Sequence, residues 1–96
     1  MMTEDTRPLV QVVAGILLDQ NGRYLLSSRP EGKPYAGYWE FAGGKVEAGE
    51  SDFQALQREF EEELGIRILA ATPWLTKVHS YEHAHVRLHF LWVEAD

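Results

Sequence analysis

The sequence predicts an α/β domain in which one amphipathic helix near the middle of the chain docks on a sheet built from strands before and after it. Three observations carry this. Phe53, Leu56, Phe60 and Leu64 recur at intervals of three, four and four, the apolar stripe of one helix face. Leu9–Asp19 and Ile66–His79 are rich in Val, Ile and Leu, and Val86, Leu88, Phe90 and Trp92 alternate with other residues as the inward side of a strand does. At 96 residues the chain has room for one hydrophobic core, so the helix has only the sheet to dock on.

Each element has local punctuation. Residues 1–8 are polar, end in Arg7-Pro8 and read as a loose lead-in, followed by the domain itself over 9–96. After the strand Leu9–Asp19, Gln20-Asn21-Gly22 supplies residues that tolerate positive φ in a tight hairpin, and Arg23–Arg29 returns as a second strand. Pro30, Gly32, Pro34 and Gly37 mark a loop, and Tyr38–Ala42 forms a short aromatic strand. Gly43-Gly44 opens a second loop running to Gly49, whose backbone can approach a ligand closely. Ser51 and Gln54 have the spacing of a capping box, and Gly65 stops the helix after Leu64. Pro73 predicts a bend or bulge in the strand Ile66–His79, and Tyr81–Ala84 turns the chain into the last strand.

Composition removes several function classes. With no cysteine there are no disulfides, thiolate metal sites or cysteine nucleophiles. No apolar run approaches the roughly 20 residues that span a bilayer, and the start lacks the basic and apolar regions of a signal peptide, so a cytoplasmic protein with no membrane partner is expected. A net charge of −6 argues against duplex DNA, which requires a basic face. The imbalance is local. Glu47 to Glu63 holds seven acids and one base, a net of −6, while the remaining residues hold eight of each.

On a helix, Glu59, Glu62 and Glu63 share one side next to the apolar stripe. Their mutual repulsion would be relieved by a hard divalent cation, and an oxygen-only ligand set suits Mg²⁺ or Mn²⁺. A solvated acidic face is the other reading of the same residues. Glu61 points away from the group and is read as surface. Arg58 either pairs with Glu62 along the helix or reaches back to brace the glycine loop.

These residues carry a resemblance. Gly44 to Ile66 reads GKVEAGESDFQALQREFEEELGI, which resembles the signature of the Nudix hydrolases at Gly44, Glu50, Arg58-Glu59, Phe60, Glu62-Glu63 and Gly65-Ile66. Seven named residues at average usage match by chance below about 10⁻⁸ per window. The segment WEFAGGKVE is similar to the MutT-like branch of nucleotide pyrophosphohydrolases. Ala42 stands where many members carry Pro, and Phe60 where many carry an aliphatic residue.

The resemblance implies an α/β/α sandwich with a mixed sheet, and a chain lacking the further strand and second helix with which members usually continue. It implies metal-dependent hydrolysis of a phosphoanhydride in a nucleoside diphosphate linked to X. The expected substrate is a nucleotide, a (d)NTP cleaved to monophosphate and pyrophosphate, with 8-oxo-dGTP as one candidate. ADP-ribose, dinucleoside polyphosphates or capped RNA are the alternative substrates, and a non-catalytic nucleotide-binding module or inactive fragment is the alternative class.

Residue by residue, the resemblance makes Glu59, Glu63 and Glu62 metal ligands with the Gly43 carbonyl as a fourth. Glu50 and Arg58 orient those ligands and the loop, and Glu59 or Glu62 deprotonates water. Phe41 and Tyr81 are candidates to stack on a base, with Glu40 and Arg29 nearby, Gly44 lying close to the substrate, and Lys45, Lys33 and Arg87 available to phosphates. His79, His83, His85 and His89 crowd into eleven residues. Odd positions of the last strand share a face, so His83, His85, Arg87 and His89 are expected to project together, with His83 and His85 lining the nucleotide cleft or a subunit contact. A zinc site is the less favoured use of them. Apolar faces left open around Leu88, Phe90 and Trp92 would invite a homodimer.

Overall fold

The computed structural model describes residues 7–28, 32, 39–82 and 84–95. Its elements are β1 (Leu9–Leu17), β2 (Ser27–Ser28), β3 (Trp39–Glu40), β4 (Gly43–Lys45), α1 (Asp52–Leu64), β5 (Ile68–Ser80) and β6 (His85–Ala95). Four strands form a mixed sheet in the order β4-β1-β6-β5, and β2 pairs with β3 in a separate two-stranded ladder. β1 and β6 run parallel from Leu9 opposite His85 to Leu17 opposite Val93, while β4 pairs antiparallel with β1 and β5 antiparallel with β6. None of the described helices is long and apolar enough to cross a membrane.

The helix forms for the reasons its sequence states. The Ser51 side chain accepts a hydrogen bond from the Gln54 N–H at 3.1 Å, and the Gln54 side chain accepts one from the Ser51 N–H at 2.9 Å. Two of the orphan donors at the helix start are thereby satisfied. Gly65 takes the left-handed conformation at φ 65°, and its N–H donates back to Glu61 at 3.0 Å. Ala55, Leu56 and Phe60 are buried against Val13, Ile68, Leu91 and Val93 of the sheet, with Phe53 and Leu64 partly buried beside them. The Phe60 ring occupies space that Gly15 leaves: a Cβ at Gly15 would come within 2.6 Å of the ring and 2.8 Å of Val93. Phenylalanine in place of an aliphatic residue is thus accommodated by a glycine on the facing strand.

Three expectations are corrected. The turn after β1 closes as predicted, with Gly22 at φ 76° and the Asp19 carboxylate accepting the N–H groups of Asn21 and Arg23 at 2.8 and 2.9 Å. The return strand then stops. Among the described residues the pairing continues only through the Asp19 N–H to Arg23 carbonyl and Leu25 N–H to Leu17 carbonyl bonds on either side of Leu18 opposite Tyr24, and Ser27–Ser28 join β3 instead. The physical reason is occupancy. One edge of β1 is filled by β6, and the other is filled by β4 at Val12–Ala14 with Gly15 donating to the Ala42 carbonyl at 2.9 Å.

The aromatic strand predicted over 38–42 is likewise divided. Trp39 and Glu40 belong to the small ladder and the Gly43-Gly44 pair to the main sheet, with Ala42 buried between them; Tyr38 lies outside the described residues. The third correction concerns β6. The helix packs on the face carrying Leu91 and Val93, whereas Leu88, Phe90 and Trp92 are half-buried on the opposite face, the last two against Trp74. The odd positions are polar at His85, Arg87 and His89 and apolar at Leu91 and Val93, so alternation over the whole strand favours the even face, while the core under the helix uses only the Leu91–Val93 end. The interruption expected at Pro73 is present as a register shift between Pro73 and Leu75, with a second between Ile68 and Ala70.

Because any side chain at position 15 drives into the Phe60 ring, Gly15→Ala is expected to destabilise the fold by about 1–3 kcal/mol. A lowered urea midpoint without a changed denaturant slope would register it, and an unchanged midpoint would refute the packing argument.

Candidate functional site

Arg58 organises the site. Its Nε and Nη2 donate to the two oxygens of Glu50 at 2.8 and 2.9 Å, and Nη2 also donates to the Lys45 carbonyl at 2.9 Å. Nη1 donates to Glu59 Oε1 at 2.7 Å and reaches Glu62 only at 3.5 Å. Of the two roles open to Arg58, bracing the glycine loop uses its short bonds and the helix pair with Glu62 its longest. The Glu50 carboxylate also accepts the Glu47 N–H at 2.8 Å. Held by the guanidinium first and that N–H second, Glu50 is pulled down to about 2.

Glu59 and Glu63, one turn apart, converge on the Gly43-Gly44 backbone. A Cβ on Gly44 would lie 2.6 Å from the Glu59 carboxyl carbon, so the carboxylate occupies a cradle that only glycine leaves open. Glu63 accepts the Gly43 N–H at 3.2 Å. Gly43, expected to offer its carbonyl, is therefore joined to the acidic pair through its amide. Burial of the Glu63 carboxyl, then the negative charge of Glu59, and to a lesser degree that of Glu40, push Glu63 up to about 7.

The three helix acids do not act as one group. The Glu59 side chain is 15% exposed and that of Glu62 is 61% exposed on the outer side of Arg58. Among the described residues no three carboxylate or imidazole side chains converge on a single point. The fit to a cation rests on the pair instead: two carboxylates of like charge, held together in a partly desolvated cradle with only oxygen donors, suit a hard divalent ion.

The remaining candidates are dispersed. Phe41 packs edge-on against Tyr24 at 5.9 Å, and Tyr81 against His79 at 4.4 Å. His85 is joined to the Ser80 hydroxyl at 2.8 Å, and His89 to Thr76 at 3.1 Å and Gln11 at 2.8 Å, with Asp52 3.8 Å away. His85 and His89 lie on the same face of β6 as Leu91 and Val93, each with its own partners, His85 at the strand end and His89 near the helix start. Arg29, Lys33 and His83 lie outside the described residues. Lys45 and Arg87 are exposed.

Sheet register connects the edges of the site. Lys45 pairs with Val12, Val12 with Leu88 and Leu88 with Lys77, a row of neighbours on the face opposite the helix. Three strand spacings make this row about 14 Å long. At its far end Lys77, His79, Tyr81, Leu88 and Phe90 line a cavity of about 210 Å³. A larger cavity of about 850 Å³ lies elsewhere, between the β1 hairpin and the end of β6, and none of the candidate acids lines it. Lys77 and Gly15 were not singled out from sequence. A glycine inside a strand run is a readable sign of close approach, whereas the position of Lys77 depends on a register with a bulge.

A family profile described as NUDIX domain matches residues 8–96, and the chain belongs to that family. It is 36% identical over 84 residues to an 8-oxo-dGTP diphosphatase of Proteus vulgaris, covering 88% of this chain and 75% of that protein. It is 55% identical over 58 residues to a CTP pyrophosphohydrolase of Escherichia coli, covering 60% of this chain and 42% of that protein. Among solved structures, a MutT NUDIX hydrolase from Burkholderia pseudomallei has a TM-score of 0.82 at 31% identity, covering 92% of this chain and 68% of that one. The E. coli ORF135 protein has a TM-score of 0.76 at 40% identity, covering 92% and 62%. The chain thus spans less than half the length of one matched relative and about three quarters of another.

A glutamate held near 7 against an unfolded value of 4.5 favours the folded state while protonated. Its contribution is full below 4.5 and is lost as pH rises through about 7 in metal-free solution. Urea unfolding of Glu63→Gln should therefore show a flatter stability profile across that window than the wild type. Carboxyl ¹³C titration should find the Glu63 midpoint near 7; a midpoint at the ordinary glutamate value would contradict the geometry of the pair.

Proposed function

We propose that this chain hydrolyses a phosphoanhydride bond of a nucleoside triphosphate, releasing a monophosphate and pyrophosphate, in the cytoplasm. The observation that carries the reading is the Glu59 and Glu63 pair, gathered over Gly43-Gly44 and braced by the Arg58–Glu50 ion pair. These two acids would hold Mg²⁺ or Mn²⁺ together with the Gly43 carbonyl, and Glu62, exposed on the outer side of Arg58, would join them by turning inward. Such an ion, when bound, neutralises phosphate charge and makes water a stronger nucleophile.

The protein's own residues do the rest. Arg58 keeps the loop carrying Lys45 and the helix carrying Glu59 at a constant spacing, so the two acids need not reorganise when substrate arrives. Glu63, which holds a proton near neutrality, gives it up on taking a cation. Water oxygen attacks phosphorus as the bridging P–O bond breaks, the bridging oxygen leaves with pyrophosphate, and the water proton passes to Glu59 or Glu62. The row from Lys45 through Val12 and Leu88 to Lys77 offers a track for the nucleotide, phosphates at the Lys45 end and base toward the Tyr81 cavity. Phe41, Glu40 and Arg29 are the further residues proposed to meet the substrate.

The names of the matched relatives, 8-oxo-dGTP diphosphatase and CTP pyrophosphohydrolase, support a triphosphate of either base class. A release assay across 8-oxo-dGTP, dGTP, CTP, ADP-ribose and diadenosine polyphosphates, with and without Mg²⁺, tests the reading. Glu59→Gln and Glu63→Gln are expected to lower kcat by roughly 10²–10⁴-fold. Activity that survives both changes would sink the site assignment.

Glu50→Gln loosens Arg58 without touching the acidic pair, and a loss of about 10–100-fold is expected, as for groups that orient metal ligands. A rate equal to wild type would show that the brace is dispensable.

A further inference from the structure

Two long strands, β5 and β6, are joined by the short turn 81–84, and that turn carries Tyr81 into the wall of the 210 Å³ cavity. The turn is closed on itself by the Tyr81 N–H donating to the Ala84 carbonyl at 2.7 Å. Arg7, distant by 74 and 75 residues in sequence, donates Nη2 to the Tyr81 carbonyl at 2.8 Å and Nη1 to the Glu82 carbonyl at 3.0 Å. The parallel pairing of Leu9 with His85 brings the chain before β1 beside this turn. Arg7 was expected to be part of a loose lead-in; its guanidinium instead spans two consecutive peptide carbonyls, a fork that a single ammonium donor cannot reproduce.

We infer that Arg7 is a positioning residue for substrate recognition: it clamps the β5–β6 turn so that Tyr81 and His79 form a standing wall for the nucleotide's base. The inference rests on the hydrolase reading above. Arg7 lies outside the acidic pair, so its contribution falls on ground-state binding and not on the bond-breaking step. The ring of Tyr81 meets that of His79 edge-on at 4.4 Å, and Lys77, Leu88 and Phe90 complete the cavity. Holding the turn fixes the Tyr81 end of this wall before substrate arrives, which lowers the ordering cost of binding.

The test pairs kinetics with amide exchange in the full chain. Arg7→Ala is expected to raise KM for the best substrate of the panel by about tenfold, the scale of charge-assisted hydrogen bonds, with a much smaller change in kcat. Arg7→Lys should recover only part of that affinity. The Tyr81 amide should exchange faster in Arg7→Ala than in the wild type, while amides of α1 keep their protection. Arg23→Ala, which removes an exposed arginine paired with Asp19 at 2.7 Å, serves as the charge control and should leave KM unchanged.

Four results overturn the clamp: an unchanged KM in Arg7→Ala, full recovery in Arg7→Lys, a KM shift in Arg23→Ala equal to that in Arg7→Ala, or an unchanged Tyr81 exchange rate. If the wild-type chain turns over no nucleotide, the hydrolase reading fails and takes this inference with it. If the wild type is active and Arg7→Ala matches it, the inference alone fails.

Discussion

Holding two carboxylates of like charge beside each other in a partly desolvated cradle is the constraint around which the rest of this domain is arranged. Such a pair is unfavourable by itself, and Glu63 carries the cost as an affinity for protons raised to about 7. Arg58 limits the cost by bonding Glu59 and Glu50 together. The same guanidinium holds the Lys45 carbonyl, so the charge balance of the site and the closure of its loop are one interaction. Loss of Arg58 would leave three acids in a small volume without a counter-charge.

That arrangement needs the helix to approach the sheet closely, and apolar packing provides the approach. Phe60 is fully buried, and the absence of a side chain at Gly15 lets its ring settle against β1. The residue immediately before it, Glu59, is thereby brought down onto Gly44, where again no side chain intervenes. Two glycines on adjacent strands thus set the height of the helix, one under an aromatic ring and one under a carboxylate. The Ser51 capping box and Gly65 delimit the helix, and the Gly65 cap, donating back to Glu61, closes the last turn, which carries Glu62 and Glu63.

The opposite face of the sheet has a different character. There Val12 and Leu88 separate a lysine at each end, and the β5–β6 turn closes the far side. The acids lie near one edge strand and the aromatic cavity near the other. The proposed substrate, with a charged end and a planar end, fits that separation: hard oxygen donors would hold the cation that meets its phosphates, and apolar or aromatic walls would meet its base.

The helix, its caps, its apolar stripe and the glycine loop were legible in the sequence because each depends on residues within a few positions of one another. The same holds for the bend at Pro73 and for the resemblance carried by Gly44 to Ile66. What the tertiary structure decided were matters of partnership across long sequence distances. Whether Arg23–Arg29 could return along β1 depended on β4 already occupying that edge. Which face of β6 met the helix depended on packing around Gly15, since the odd positions are polar at His85, Arg87 and His89 and become apolar only at Leu91 and Val93, where the Phe60 ring sits. The three acids that periodicity groups together were separated by the reach of Arg58, which leaves Glu59 and Glu63 at the glycines and turns Glu62 to solvent. Arg7, polar and near the start of the chain, had no local signal at all, because its role exists only where β1 and β6 begin side by side. Local propensity and spacing determined the elements and the chemistry they can carry; the competition of those elements for sheet edges, packing space and counter-charges determined which residues meet.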